Sequence, residues 1–286
     1  MVDERSELVS FGSMQKQDEL AVKEGCYFDE QSADFVCDFF ERYLKHTMGE
    51  KAGEPFVLLD WQREQILRPL FGWKRADGTQ RFTRGFIWTP KKQGKSTLSA
   101  GICLFYLMTG GVGAGSSTER TEVFGVATSR EQAGIIYREA AAMVKKDPQL
   151  SERVRVLDSK KRLLYVNKNS FYQALAGETV SRGVEGINPN LTMIDEIHAM
   201  RSRVLYDALA YASAARKNSL MLSVSTVGIA DRSLIWWEQY EYSQRLLEGS
   251  IEDPYTFAYL TQADICLLYT SDAADEGLGV DLGGRR

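Results

Sequence analysis

The stretch Phe86-Ile87-Trp88-Thr89-Pro90-Lys91-Lys92-Gln93-Gly94-Lys95-Ser96-Thr97 decides the fold. Its apolar start reads as a buried strand, and its end opens a helix through Ser96 to Met108. Between them lies a loop of the kind whose successive backbone amides wrap phosphate oxygens. In that pattern Lys92, Gln93, Gly94, Lys95, Ser96 and Thr97 form the phosphate-binding turn. Lys95 neutralises the β- and γ-phosphates of ATP, and the Ser96 hydroxyl faces Mg2+. One position departs from the pattern: Thr89 stands where the first glycine of G-x-x-x-x-G-K-[ST] belongs.

Farther along, Leu191-Thr192-Met193-Ile194-Asp195-Glu196 reads as a buried strand ending in two carboxylates. Beside the loop, Asp195 would join the Mg2+ shell, and Glu196, pointing differently, could take a proton from an attacking water. An exposed acidic pair at a strand-to-helix junction is the plain alternative; the apolar strand before it and the loop upstream argue against that. A third strand, Ser219 to Thr226, ends in Ser225-Thr226. In an open α/β sheet such an end lines the ligand crevice, where Thr226 could sense the γ-phosphate. A simple strand-to-loop cap is the other reading of that pair.

The remaining pattern alternates strands and helices, which indicates a mostly parallel α/β sheet flanked by helices. Residues 1–29 read as a polar, frayed start, and Asp29 to Met48 as an amphipathic helix. Trp61 to Leu70 reads as a second helix, capped by Asp60 and closed by Gly72, with a hairpin turn at Asp77-Gly78. Gly110 to Thr118 is a Gly/Ser-rich loop without period. Trp236-Trp237 lie on a helical stretch and read as core and rim rather than as a stacking platform.

Composition narrows the classes. The 286 residues are 44% hydrophobic and 26% charged, with a net charge of −4, as in an ordinary globular protein with no overall basic surface. Cys26, Cys37 and Cys103 lack metal-ligand spacing, and 2 histidines are too few for a histidine-based zinc site. No run approaches the ~18 apolar residues of a membrane span. The tail from Cys266 to Arg286 reads as a translated sequencing adapter, to be left out of fold reasoning. The expected organisation is a helical segment over 1–52, an ATPase domain over 53–264, and a foreign tail over 265–286.

Phe56 through Trp61-Gln62, the lysine-rich loop, Asp195-Glu196-Ile197-His198 and Ser225-Thr226, in this order, resemble the large terminase subunit of tailed bacteriophages. The resemblance spans His46 to Asp264 and accommodates the Thr89 departure, because these terminases often carry a basic Pro-x-x-x-Gly-Lys loop. It implies a P-loop NTPase of the additional-strand type, an ATPase motor whose nuclease half is missing here. It implies that Gln62 reads the adenine edge, that Lys91 touches the γ-phosphate, and that Arg182 enters a neighbour's active site. On chemistry alone Gln62 could be a polar helix residue, Lys91 a solvated loop lysine and His198 a packing histidine. The resemblance also implies double-stranded DNA, the portal protein and the small terminase subunit as partners. The assembly would be a homo-oligomeric ring, expected to be a pentamer, in the host cytoplasm and transiently at the procapsid portal. A two-lobed helicase and a non-hydrolysing ATP-binding scaffold are the rival readings.

Overall fold

The computed structural model describes residues 8–10, 12–111, 120–176, 187–200, 203–214, 216–227 and 235–263. Its strands, in chain order, are β1 (Leu8–Ser10), β2 (Tyr27–Phe28), β3 (Trp73–Lys74), β4 (Arg84–Trp88), β5 (Glu122–Ala127) and β6 (Val154–Leu157). They continue with β7 (Arg162–Tyr165), β8 (Ser170–Ala176), β9 (Leu191–Asp195), β10 (Leu220–Ser225) and β11 (Thr256–Ala263). The helices are α1 (Gln15–Lys23), α2 (Glu30–Tyr43), α3 (Arg68–Gly72), α4 (Lys95–Thr109), α5 (Arg130–Lys146), α6 (Pro148–Arg153), α7 (Arg203–Ala214) and α8 (Ile235–Leu247).

One sheet carries the site, in the order β1-β11-β4-β10-β9-β5-β8-β7-β6. From β11 to β8 every neighbouring pair is parallel, and β1, β7 and β6 add antiparallel edges. The strand leading into the phosphate loop, β4, does not touch the acidic strand β9; β10 lies between them. That intervening strand is the expected additional strand. Register makes the ends flush, since Ser225 pairs with Trp88 and Val224 with Asp195.

Burial on both sheet faces explains why these strands are apolar throughout rather than alternating. Ile87 faces a core shared with α2, α4 and α5, whereas Phe86 and Trp88 face α7 and α8. Helix α4 is buried from Leu98 to Leu107, so it has no polar face to display. Its close approach to α2 needs Gly101: a β-carbon there would lie 2.3 Å from the Phe40 ring. On the other face, Trp88 Nε1 donates to Ser243 Oγ at 2.9 Å and pins the end of β4 to α8. Trp236 is core and Trp237 half-buried, as expected.

Two expectations need correction. The described part of residues 1–29 is not a frayed start: it contains α1, and β1 pairs with β11. Helix α1 is too polar to show apolar periodicity and is held by polar bonds instead. Gln17 Nε2 donates to the carbonyls of Leu246 and Ile251, and Gln17 Oε1 accepts from Asp253 N–H. Asp60 does not cap the next helix; it is already helical and its side chain makes no capping bond. The turn Trp61–Leu67 is π-helical and runs straight into α3, a distortion frequent at functional sites. Arg182, most of Gly110 to Thr118 and the tail from Asp264 lie outside the described residues.

Candidate nucleotide site

The phosphate loop leaves β4 at Thr89, whose N–H donates to the Ser225 carbonyl at 3.1 Å. Left-handed backbone occurs at Lys92 (φ 67°) and Gly94 (φ 72°), but not at Thr89. The first-glycine departure is therefore harmless to this backbone. Strain falls instead on Lys92, a side-chain-bearing residue in a region L-residues avoid. The Thr89 hydroxyl is buried without a partner among the described residues.

Gly94 caps α4, so Lys95 and Ser96 open that helix with their N–H groups toward the loop. Lys95 is buried, and its Nζ donates to the Pro90 and Thr89 carbonyls at 2.9 and 3.3 Å. Burial pulls its pKa down, against the opposing carboxylates of Glu196 and Asp195. Lys91 is exposed, yet near enough for its charge to push Lys95 the same way. Ser96 and Thr97 are half-buried.

Asp195 ends β9 in a buried position. Burial, reinforced by the neighbouring Glu196 charge, raises its carboxyl to about 7. Glu196 takes a different path. Its φ of 53° turns the chain off the sheet into the short helical turn Ile197–Ala199, which brings His198 back toward it. His198 Nδ1 lies 2.9 Å from Glu196 Oε2 and 2.9 Å from Ser225 Oγ. The same carboxylate oxygen lies 3.4 Å from Thr226 N, Thr226 Oγ1 and Ser225 Oγ. Burial acts to raise this carboxyl, but the His198 hydrogen bond and the His198 and Lys95 charges hold it below its ordinary value.

Gln62 is buried beside the loop. Its Oε1 accepts from Leu59 N–H at 3.1 Å, and its Nε2 is 3.9 Å from where a Gly94 β-carbon would stand. Trp61 stacks on Tyr259, with ring centroids 5.8 Å apart.

The structure thus brings together Gln62, Lys91 to Thr97, Asp195, Glu196 and Thr226 at one end of the sheet. Sequence reasoning missed the contact of His198 and Ser225 with Glu196, which depends on a left-handed residue that no local pattern announces. A cavity of about 920 Å³ takes no residue from the loop and lies between α1, the π-helical turn and β11. A hydroxyl from Ser96 and a carboxylate from Asp195 form an all-oxygen donor set suited to Mg2+. The raised Asp195 carboxyl is a buried group whose charge a cation would balance. The residues fit the ion.

A phosphate loop, an acidic strand end and an intervening strand define a P-loop ATPase of the additional-strand class. The family model described as the terminase large subunit, ATPase domain, matches residues 60–245, and the chain belongs to that family. It is 30% identical over 202 residues to the large terminase subunit of Enterobacteria phage HK97, a match covering 70% of this chain and 38% of that protein. The crystal structure of the HK97 large terminase superposes with a TM-score of 0.67 at 25% identity, covering 87% of this chain and 48% of the other. The ATPase domain of the Thermus phage P74-26 large terminase shares the fold, with a TM-score of 0.50 at 15% identity over 70% of this chain and 84% of that one. The chain spans about half or less of the length of the HK97 protein it matches. Among the described residues no helix is long and apolar enough to cross a membrane.

Proposed function

We propose that this chain hydrolyses ATP with Mg2+ and uses the reaction to drive double-stranded DNA into a phage procapsid. The observation that carries the proposal is the β4-β10-β9 order, which sets the loop, Thr226 and the Asp195-Glu196 pair on adjacent strand ends. Bound Mg2+ would neutralise phosphate charge and orient the phosphate oxygens, held by Ser96 and, in its carboxylate form, Asp195. Lys95 exchanges the Thr89 and Pro90 carbonyls for the β- and γ-phosphates, and the N–H groups from Lys92 to Thr97 cradle them. Gln62 keeps its Nε2 for the adenine edge, and Lys91 swings from solvent onto the γ-phosphate.

Glu196 accepts a proton from water as the water oxygen bonds to the γ-phosphorus and the bond to ADP breaks. To do so it must leave the cluster of His198, Ser225 and Thr226. Thr226 therefore couples the phosphate to the base, because a hydroxyl that turns toward the γ-phosphate releases the carboxylate. Arg182 completes the site of a neighbouring copy in a homo-oligomeric ring, expected to be a pentamer. The portal protein and the small terminase subunit are its partners, in the host cytoplasm and at the procapsid.

Glu196→Gln tests the reading. Phosphate release should fall by two orders of magnitude or more, in the range of about 10²–10⁴ for lost acid–base catalysis, while a fluorescent ATP analogue still binds. Turnover unchanged in Glu196→Gln would remove Glu196 as the base. An unaltered chain that binds ATP yet shows no turnover, even at concentrations that favour ring assembly, would make it a scaffold.

A further inference from the structure

At the same end of the sheet as the loop, but toward its far edge, a second hollow of about 500 Å³ opens between the start of α5, the turn joining β6 to β7, and the end of β8. Arg130, Lys160 and Lys161 line it over a floor of small residues such as Ala133 and Ala174, and among the described residues no acidic one takes part. Arg138 flanks it. Both Arg138 Nη1 and Lys161 Nζ lie 2.9 Å from where a Gly134 β-carbon would stand, so the two cations are within twice that distance of each other. Only the missing side chain of Gly134 admits both.

These positions are fixed by the backbone. Lys161 Nζ donates to the Arg130 carbonyl at 2.7 Å, and Gln173 Nε2 donates to the Lys160 carbonyl at 2.9 Å. Ala174 N–H bonds the Lys161 carbonyl at 3.2 Å. Among the described residues no carboxylate pairs with Arg130, Arg138, Lys160 or Lys161; the nearby Asp158 is taken by Lys145 and Tyr137. The basic hollow at the opposite strand ends differs. There Arg84 pairs with Asp253, and Arg216 bonds Asn190 beside Glu122. Converging like charges with no counter-charge repel one another, and an anion relieves that repulsion.

We propose that Arg130, Arg138, Lys160 and Lys161 form a contact site for backbone phosphates of double-stranded DNA. The identity of the anion as DNA rests on the packaging reading above. The placement suits a motor: α5, which begins at Arg130, packs through Ile136, Tyr137 and Ala140 into the core that holds α4, and α4 begins at Lys95. A shift of the phosphate loop has a rigid route to this hollow.

The test is salt-dependent anisotropy with a short fluorescent duplex, on the full chain and on the variant Arg130→Glu/Arg138→Glu/Lys160→Glu. All three side chains are exposed, and among the described residues none makes a side-chain hydrogen bond or ion pair; a thermal melt checks that the variant folds. The variant should bind at least tenfold more weakly, and its log–log salt slope should fall by about 2 to 3, since each phosphate contact contributes about 0.9. Lys217→Glu at the opposite hollow should bind like the unaltered chain, and Arg138→Lys should retain binding. Equal binding by the triple variant, an equal loss in Lys217→Glu, or no duplex binding by the unaltered chain would each overturn the proposal. Binding of a fluorescent ATP analogue separates the two readings. If the triple variant loses nucleotide but not duplex, the hollow serves nucleotide phosphates and the proposal falls. If duplex binding behaves as expected while the unaltered chain binds no nucleotide, the ATPase reading fails and this site stands.

Discussion

Arg81 and Lys95 are both buried cations, and their surroundings could hardly differ more. Arg81 is fully buried between the Trp73 and Phe82 rings. Its guanidinium donates to the Pro254 carbonyl at 2.6 Å, to Asp18 Oδ1 at 2.6 Å and to the Gln17 carbonyl at 2.9 Å. Burial pushes Arg81 down and Asp18 up, and each partner pulls the other back toward its charged form. Lys95 has two loop carbonyls and faces two carboxylates, of which Asp195 is raised to about 7. A buried charge with all its bonds made holds structure together. A buried charge with bonds to spare marks where a ligand belongs.

The comparison can be broken at either end. Arg81→Ala should be the most damaging change to stability, about 3–5 kcal/mol, because it leaves Asp18 without its partner and frees α1 from the sheet. Urea unfolding measures this; a loss under about 1 kcal/mol would mean that α1 is not anchored by the pair.

Lys95→Ala should do the opposite. It should cost about 10²–10³ in ATP turnover, the scale for one lost transition-state charge contact, with little change in the urea midpoint. Equal destabilisation by both substitutions would erase the distinction.

Asp195→Asn sharpens it further. An acid whose folded-state pKa is raised favours folding most below its ordinary value of 3.8, and that advantage is lost as pH rises toward about 7. Replacing it should therefore stabilise the nucleotide-free chain more at pH 8 than at pH 5, by about 2.5 kcal/mol, from roughly two units at 1.36 kcal/mol each. Thermal melts at the two pH values check the sign, and no pH-dependent gain would mean that Asp195 is well solvated.

Legibility followed the kind of force involved. Strands β4, β9 and β10 and helices α4 and α5 were readable because burial on one or both faces writes itself into apolar runs and periodicity. The residues Lys95, Ser96, Asp195 and Thr226 were readable because each sits at the end of such an element. Helix α1 was not, since Gln17 and Arg81 hold it through bonds between residues 63 to 236 positions apart, which leave no local pattern. The Asp60 cap failed for a related reason: the chain is already helical at Asp60, and Gln62 supplies the side-chain acceptor instead.

What the sequence determined by itself is the chemistry on offer: a phosphate loop, two carboxylates and a hydroxyl at strand ends, in an order shared with one family. Tertiary structure alone decided how those groups meet. It placed β10 between β4 and β9, turned Glu196 out of the strand and onto His198, Ser225 and Thr226, and brought Arg138 and Lys161 together at Gly134 with no carboxylate pairing either among the described residues. Sequence records the preferences of each segment for burial and turn. Which charges end up opposite one another is set by strand order and helix packing, through contacts between segments that no local preference encodes.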